Sequence, residues 1–507
     1  MKKALDILQK LLSPSLFAMF YLPYLALNMI TIVNVQSFTR YFLAFFAMWG
    51  FAVCVNTYFF GGKKAYTDKY MLILIAFFAL CGISMVINYK YGGTGPIGKL
   101  AFFALCILVL YSQFKSGMDD YKKTLLISTR AMSVVITLAM LLSLVMFFNL
   151  YTGKITGRAG ADMYLGVAQN RLYGVFSSAN VGGMYALILI WCAIVSLYNL
   201  KKTKLHVAIA TVNVIQIVIS LAYISLSLSR GTYLSGIVML VTFMAFRKPF
   251  KKELTLKLWK QAVIRFVSTL LVTLLVVSSI PVIHDACCKI SELVVASEKE
   301  EKEEKEETEE TDKKTDTNKK PNKKTDKDKV LDKLYSGHEG RVEKDKSDIT
   351  NKRKDIWLTH LSLMKGKNLL FGVNEPLIYY NTNLANGVKF THNDKIYIEW
   401  ASGNMHNGYL QILVHCGIFA LAAMLAFLVL SFVKTITFTS KTVRGKIAPD
   451  SDLYKLFSLC IPMVTAILSN NIVETNFVLM GANFFQAVFW FAAGALVFCF
   501  KSMHEEK

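Results

Sequence analysis

His406 opens the stretch His406-Asn407-Gly408-Tyr409-Leu410, where a polar segment turns within two residues into a long apolar run. A free imidazole titrates near about pH 6.5, so a histidine at such a junction can act as a general base, cap the helix that follows or bind a headgroup. His392 and His415 are weaker rivals for the same role. Glu399 and Glu474 are the carboxylates able to orient a histidine or take up a proton, and Asn180, Asn407 and Glu474 are expected to support it.

Three arginines could hold an anion beside that histidine. Arg230 stands in Ser225-Leu226-Ser227-Leu228-Ser229-Arg230-Gly231-Thr232, between two apolar runs and close to membrane depth. A charge there is expensive and marks a functional site by default, the bland reading being an arginine that snorkels to the surface. The flanking hydroxyls and Gly231 favour function. Arg171 begins Arg171-Leu172-Tyr173-Gly174 and leads to Asn180; Arg353 begins Arg353-Lys354-Asp355-Ile356-Trp357. Each alone reads as an exposed surface charge. Together they make a cationic site, and because guanidinium stays charged and matches phosphate bidentately, the ligand that suits it is a lipid-linked pyrophosphate.

Metal chemistry finds no support in the sequence. The histidines lack i, i+4 pairing with a carboxylate, no CxxC occurs, and no glycine loop that cradles nucleotide phosphates is present, so no metal or other cofactor is expected.

The elements that must position these groups are membrane helices. The 507-residue chain is 54% hydrophobic and only 18% charged, with a mean hydropathy of +0.41. Its apolar runs are continuous and of span length, which argues against a β-barrel. We expect an all-α polytopic membrane protein with about twelve transmembrane helices, near residues 15–34, 41–60, 70–88, 97–113, 131–151, 180–199, 206–228, 232–246, 261–283, 408–433, 455–471 and 478–500. The net charge of +22 does not signal nucleic acid, because most lysines sit in short loops between the runs. Those after even-numbered spans carry Lys63/Lys64, Lys115/Lys122/Lys123, Lys201/Lys202/Lys204, Arg247/Lys248/Lys251/Lys252 and Lys434/Lys441/Arg444/Lys446. The positive-inside rule then makes both termini cytoplasmic and turns 152–178, the turn at Arg230 and the large loop between spans nine and ten outward.

Four parts follow: 1–151 with five spans; 152–284 with spans six to nine and the arginine patches; an extracytoplasmic loop, 285–405; and 406–507 with the last three spans. Within the loop, 298–330 is nearly all Glu, Lys, Asp, Thr and Asn and is expected to be disordered. Asp355–Met364 has apolar residues at helical spacing and is expected to lie on the outer membrane surface, followed by a turn at Phe371–Asn374. Six of the nine cysteines lie inside apolar runs as small buried residues, with Cys416 just inside another; Cys287 and Cys288 are placed outside a span.

Taken in order, the Arg171-Leu172-Tyr173-Gly174…Asn180, Ser229-Arg230-Gly231, Arg353…Ile356-Trp357…Gly372 and His406-Asn407-Gly408-Tyr409-Leu410…Gly417 patches resemble the O-antigen ligase and polymerase superfamily, over about residues 165–435. Departures from that pattern are Ala179 where proline often precedes the asparagine, Asn374 where a second glycine is common, and His415 where an acidic residue is common. The acidic-to-basic insert is not a feature of the superfamily either.

The resemblance implies a metal-independent, inverting glycosyltransferase of GT-C type in a bacterial plasma membrane. Its donor would be a glycan on undecaprenyl pyrophosphate in the outer leaflet and its acceptor a hydroxyl, with other polysaccharide-assembly proteins as partners. His406 would deprotonate or orient the hydroxyl; Arg171, Arg230 and Arg353 would hold the pyrophosphate. A Lys- and Asn-rich composition hints at a Gram-positive cell and so at a capsule or wall polysaccharide polymerase rather than a ligase to a lipid, wall polymer or protein. The competing class is a lipid-linked oligosaccharide flippase, which calls for charges and broken helices around a central cavity.

Overall fold

The computed structural model describes residues 2–60, 69–92, 95–112, 117–157, 162–200, 204–247, 258–310, 327, 330, 353–390, 396, 398, 404–448, 450–474 and 484–503. It is an all-α polytopic membrane protein with one small sheet. In chain order the main helices are α1 (Pro14–Asn28), α2 (Phe38–Val55), α3 (Lys69–Ile87), α4 (Gly95–Leu105), α5 (Met118–Phe148), α6 (Ala179–Tyr198), α7 (His206–Ser227), α8 (Arg230–Phe246), α9 (Leu258–Glu310), α10 (Arg353–Ser362), α11 (Lys367–Phe371), α12 (Pro376–Ala385), α13 (Gly408–Val443), α14 (Asp452–Asn470) and α15 (Phe484–Ser502). Every apolar run expected to span is occupied by one of them. Among the described residues nine helices are long and apolar enough to cross a membrane, while Ile97–Leu110 and Arg230–Phe246 are shorter apolar helices.

Burial separates a centre from a periphery. In α6 and α14 72% of the most apolar stretch is buried and in α15 89%, whereas in Val263–Ser297 of α9 none is. The central helices are therefore packed on most sides and α9 offers a whole face to lipid. Trp191 of α6 donates its indole N–H to the Leu459 carbonyl of α14 at 2.7 Å, which satisfies a polar group that would be costly unpaired at that depth.

Two expectations need correction. The segment 152–174 is not merely polar: it folds as an antiparallel meander of β1 (Thr152–Thr156), β2 (Asp162–Ala168) and β3 (Arg171–Gly174). Ala168 pairs with Arg171, so Gln169 and Asn170 form a two-residue hairpin loop, both at positive φ (52° and 57°) as a type I′ turn requires. Helix α9 also outruns its expected end. It carries the buried Cys287 and Cys288 and continues to Glu310, into the insert expected to be disordered. Residues 311–326 lie outside the described residues. Helix α10 forms where helical spacing predicts it and packs Ile356, Thr359 and His360 inward.

Helix α13 is broken at Gly417 (φ 85°, ψ 178°). The carbonyls released there are taken by the loop after α11: Val373 N–H donates to Val414 at 2.8 Å and Asn374 N–H to His415 at 3.1 Å. The strands of backbone cross so closely that a Cβ on Gly372 would lie 2.3 Å from the His415 oxygen, and one on Gly417 2.1 Å from the Leu370 oxygen. Both positions also have positive φ, so only glycine fits them without strain.

Candidate functional site

Helix ends build the site. The starts of α6, α8 and α13 and the ends of α7 and α14 gather at one end of the bundle, and the three starts are capped by Ser178, Ser229 and Asn407, whose side-chain oxygens accept from Val181, Thr232, and both Tyr409 and Leu410 N–H. Such caps fix where each helix begins and so where the next side chain points. The Asn407 carboxamide also donates to Ile472 O at 3.0 Å, and Gly408 N–H donates to Asn471 O at 2.7 Å. These two bonds tie the start of α13 to the turn that follows α14.

That turn carries Glu474, the hub of the site. Its Oε1 accepts from Asn180 Nδ2 at 2.7 Å and from an Arg353 guanidinium nitrogen at 2.9 Å. Its Oε2 lies 3.1 Å from His406 Nδ1. Burial pushes the Glu474 carboxyl up, but the hydrogen bond and charge of His406, then Arg353 and Asn180, outweigh that and hold it below the ordinary carboxylate range. Glu474 is therefore an acceptor. The proton between it and His406 sits on Nδ1, which in the neutral ring leaves the lone pair on Nε2. The Glu474 side chain is 13% exposed and that of His406 35%, so the carboxylate is shielded while the ring can be reached.

Arg171, at the head of β3, joins through Asn180. One guanidinium nitrogen donates to Asn180 Oδ1 at 2.8 Å, and Nε donates to Ser227 O at 2.6 Å. The second bond satisfies a carbonyl at the C-terminus of α7 that has no intrahelical partner. Leu228 then turns the chain at φ 47°, and Arg230 starts α8. Arg230 is exposed and lines a cavity of about 550 Å³ between α6, α7, α8 and α9, with Leu187, Ile190, Leu221, Ile224, Tyr233 and Ile280 among its apolar walls. Gly231 beside it abuts the hub: a Cβ there would lie 3.1 Å from Val473 and 3.9 Å from Glu474 Cγ.

His406 itself is held at φ +46°, an uncommon conformation for a residue with a Cβ. Its N–H donates to Asn404 Oδ1 at 2.9 Å, and the carbonyl before it accepts from Trp357 Nε1 at 2.7 Å.

The structure thus brings Arg171, Asn180, Arg353, His406 and Glu474 into one hydrogen-bonded network, with Asn407 as the helix cap beneath it and Arg230 at the mouth of the neighbouring cavity. His392 and Glu399 lie outside the described residues. His415 is buried on α13. Trp357 as a donor and the Ser227 carbonyl were not expected, because each acts through a partner distant in sequence; Asn404 acts locally, on the N–H two residues on.

Residues 215–425 match the family model for O-antigen ligase. The resemblance read from the sequence is borne out over that stretch. The O-antigen ligase match contains Arg230, Arg353 and His406, while Arg171, Asn180 and Glu474 lie outside it. It supports a glycosyltransferase-like membrane enzyme of ligase or polymerase type. None of the curated proteins compared with the chain matches it.

Proposed function

We propose that this protein transfers a glycan from undecaprenyl pyrophosphate to an acceptor hydroxyl at the outer leaflet, with polymerisation of capsule or cell-surface repeat units as the physiological outcome. The observation that carries this reading is the convergence of His406 and Arg353 on the two oxygens of Glu474, with Arg171 attached through Asn180.

His406 Nε2 takes the proton of the acceptor hydroxyl as its oxygen attacks the anomeric carbon from the face opposite the phosphate. The bond between that carbon and the phosphate oxygen breaks with its electron pair staying on the pyrophosphate, so the anomeric configuration inverts. Glu474 fixes the tautomer and stabilises the imidazolium that forms. The leaving diphosphate gains charge, and fixed guanidinium groups of Arg230, Arg353 and Arg171 in a poorly hydrated groove stabilise it. The apolar cavity beside Arg230 suits the first isoprene units of the carrier, with the guanidinium at its polar end.

A flippase would need its charges around a mid-membrane cavity; the gathering of these groups at helix ends favours the transferase. The test is purified protein with a defined undecaprenyl-pyrophosphate oligosaccharide. Released carrier pyrophosphate together with lengthened glycan is expected. Translocation across a proteoliposome without either product would overturn the reading.

A further inference from the structure

Behind His406 lies a buried pair on α13. The Gln411 carboxamide oxygen accepts from Met405 N–H at 2.8 Å, and its nitrogen lies 2.6 Å from His415 Nε2. Gln411 is 1% exposed, His415 4% and Met405 fully buried. Chemistry fixes the direction of both bonds. A backbone N–H only donates, so the oxygen of Gln411 must face Met405, and the amide NH2 is left to face the imidazole. His415 Nε2 must then be an acceptor. Its own backbone is anchored, since the His415 carbonyl, freed by the break at Gly417, accepts from Asn374 N–H at 3.1 Å and from Ser84 Oγ at 3.0 Å.

We propose that His415 and Gln411 form a positioning relay for His406. His415 holds the carboxamide of Gln411 in the orientation that grips Met405 N–H, while Trp357 grips the Met405 carbonyl at 2.7 Å. The peptide leading into His406 is clamped at both ends, and this clamp sustains the left-handed backbone of His406 at φ +46°. Without it the ring relaxes away from Glu474. The relay rests on the proposed function only for its effect on turnover; the clamp itself is a property of the fold.

Two readouts separate these. In the full-length protein, amide exchange of the peptide covering Asn404–Leu410 should be slow in wild type and roughly ten-fold or more faster in Gln411→Met and His415→Phe. His415→Gln, whose amide oxygen can accept from Gln411, should restore protection. With the undecaprenyl-pyrophosphate oligosaccharide, kcat should fall on the order of ten- to a hundred-fold in the first two variants with KM little changed, since a displaced catalytic group loses rate before binding. The double variant should be no worse than Gln411→Met, because in the relay His415 acts on His406 through Gln411. Unchanged exchange, additive losses, or His415→Gln behaving like His415→Phe would overturn the relay. Faster exchange as expected in a protein whose wild type never turns over would uphold the relay and remove the proposed function instead.

Discussion

The imidazole of His406 and the carboxylate of Glu474, 68 residues apart in the chain, meet at 3.1 Å. The carboxylate is the more deeply buried of the two and also receives Arg353 and Asn180. Glu474 therefore both orients the base and holds two other groups in place, and substitutions at the two residues should fail in different ways.

His406→Ala should abolish transfer, a loss of at least about 100-fold, yet keep binding of the lipid-linked donor, because the cationic groups remain. Equilibrium binding and turnover measured on the same preparation check this. Near-normal product length in that variant would remove His406 from its role.

Glu474→Gln keeps the shape of the hub but withdraws its charge. We expect kcat to drop about 10- to 100-fold with a small change in Tm, since the amide oxygen can still accept from Asn180 and Arg353. Glu474→Ala should also be destabilising, by about 1–3 kcal/mol, because Arg353 and Asn180 lose a buried partner. Thermal unfolding in detergent compares the two.

The depressed carboxyl of Glu474 makes a pH prediction of definite sign. A group whose folded pKa is lowered adds stability that is fully present above its unfolded value, about 4.3 for a free glutamate, and that is lost as pH falls through the folded value. The part of the Tm difference between wild type and Glu474→Gln that comes from the carboxylate should therefore be present above about pH 5 and shrink below it. A difference that persists undiminished well below about pH 4 would contradict the depressed carboxyl.

Arg171 and Arg230 should respond differently to lysine. Arg171 makes two divergent bonds, to Ser227 O and Asn180 Oδ1, which a point charge cannot reproduce, so Arg171→Lys should lower stability by about 1–2 kcal/mol. Arg230 is exposed at the cavity mouth. Arg230→Lys should leave Tm unchanged and weaken turnover of the lipid-linked donor about ten-fold or more; full activity would mean that charge alone suffices.

Legibility in the sequence follows physical cause. Helices were readable wherever an apolar run reached span length, because a bilayer leaves the backbone few other choices. His406, Arg171, Arg230 and Arg353 were nameable because a charge or imidazole at the edge of an apolar run is unusual. Glu474 could be named as support but not as the hub, since its partners are brought to it from three separate parts of the chain. The meander hid in a short polar segment, although the Gln169-Asn170 turn between Val167 and Leu172 left a faint signal. The far end of α9 is hidden in the sequence because a run of Glu and Lys has no apolar periodicity to mark a helix. Gln411 and His415 read as ordinary residues of an apolar helix; only the folded chain shows what they touch.

The network around Glu474 draws on both sides of the stretch that matches the O-antigen ligase model. A chimera exchanging only 215–425 with a relative would import an arginine–histidine set and leave behind the acceptor it was tuned to. Such grafts should fold as membrane bundles yet stay silent until the donors of Arg171, Asn180 and Glu474 are moved with them, so the unit of inheritance for activity is wider than the unit of recognisable similarity.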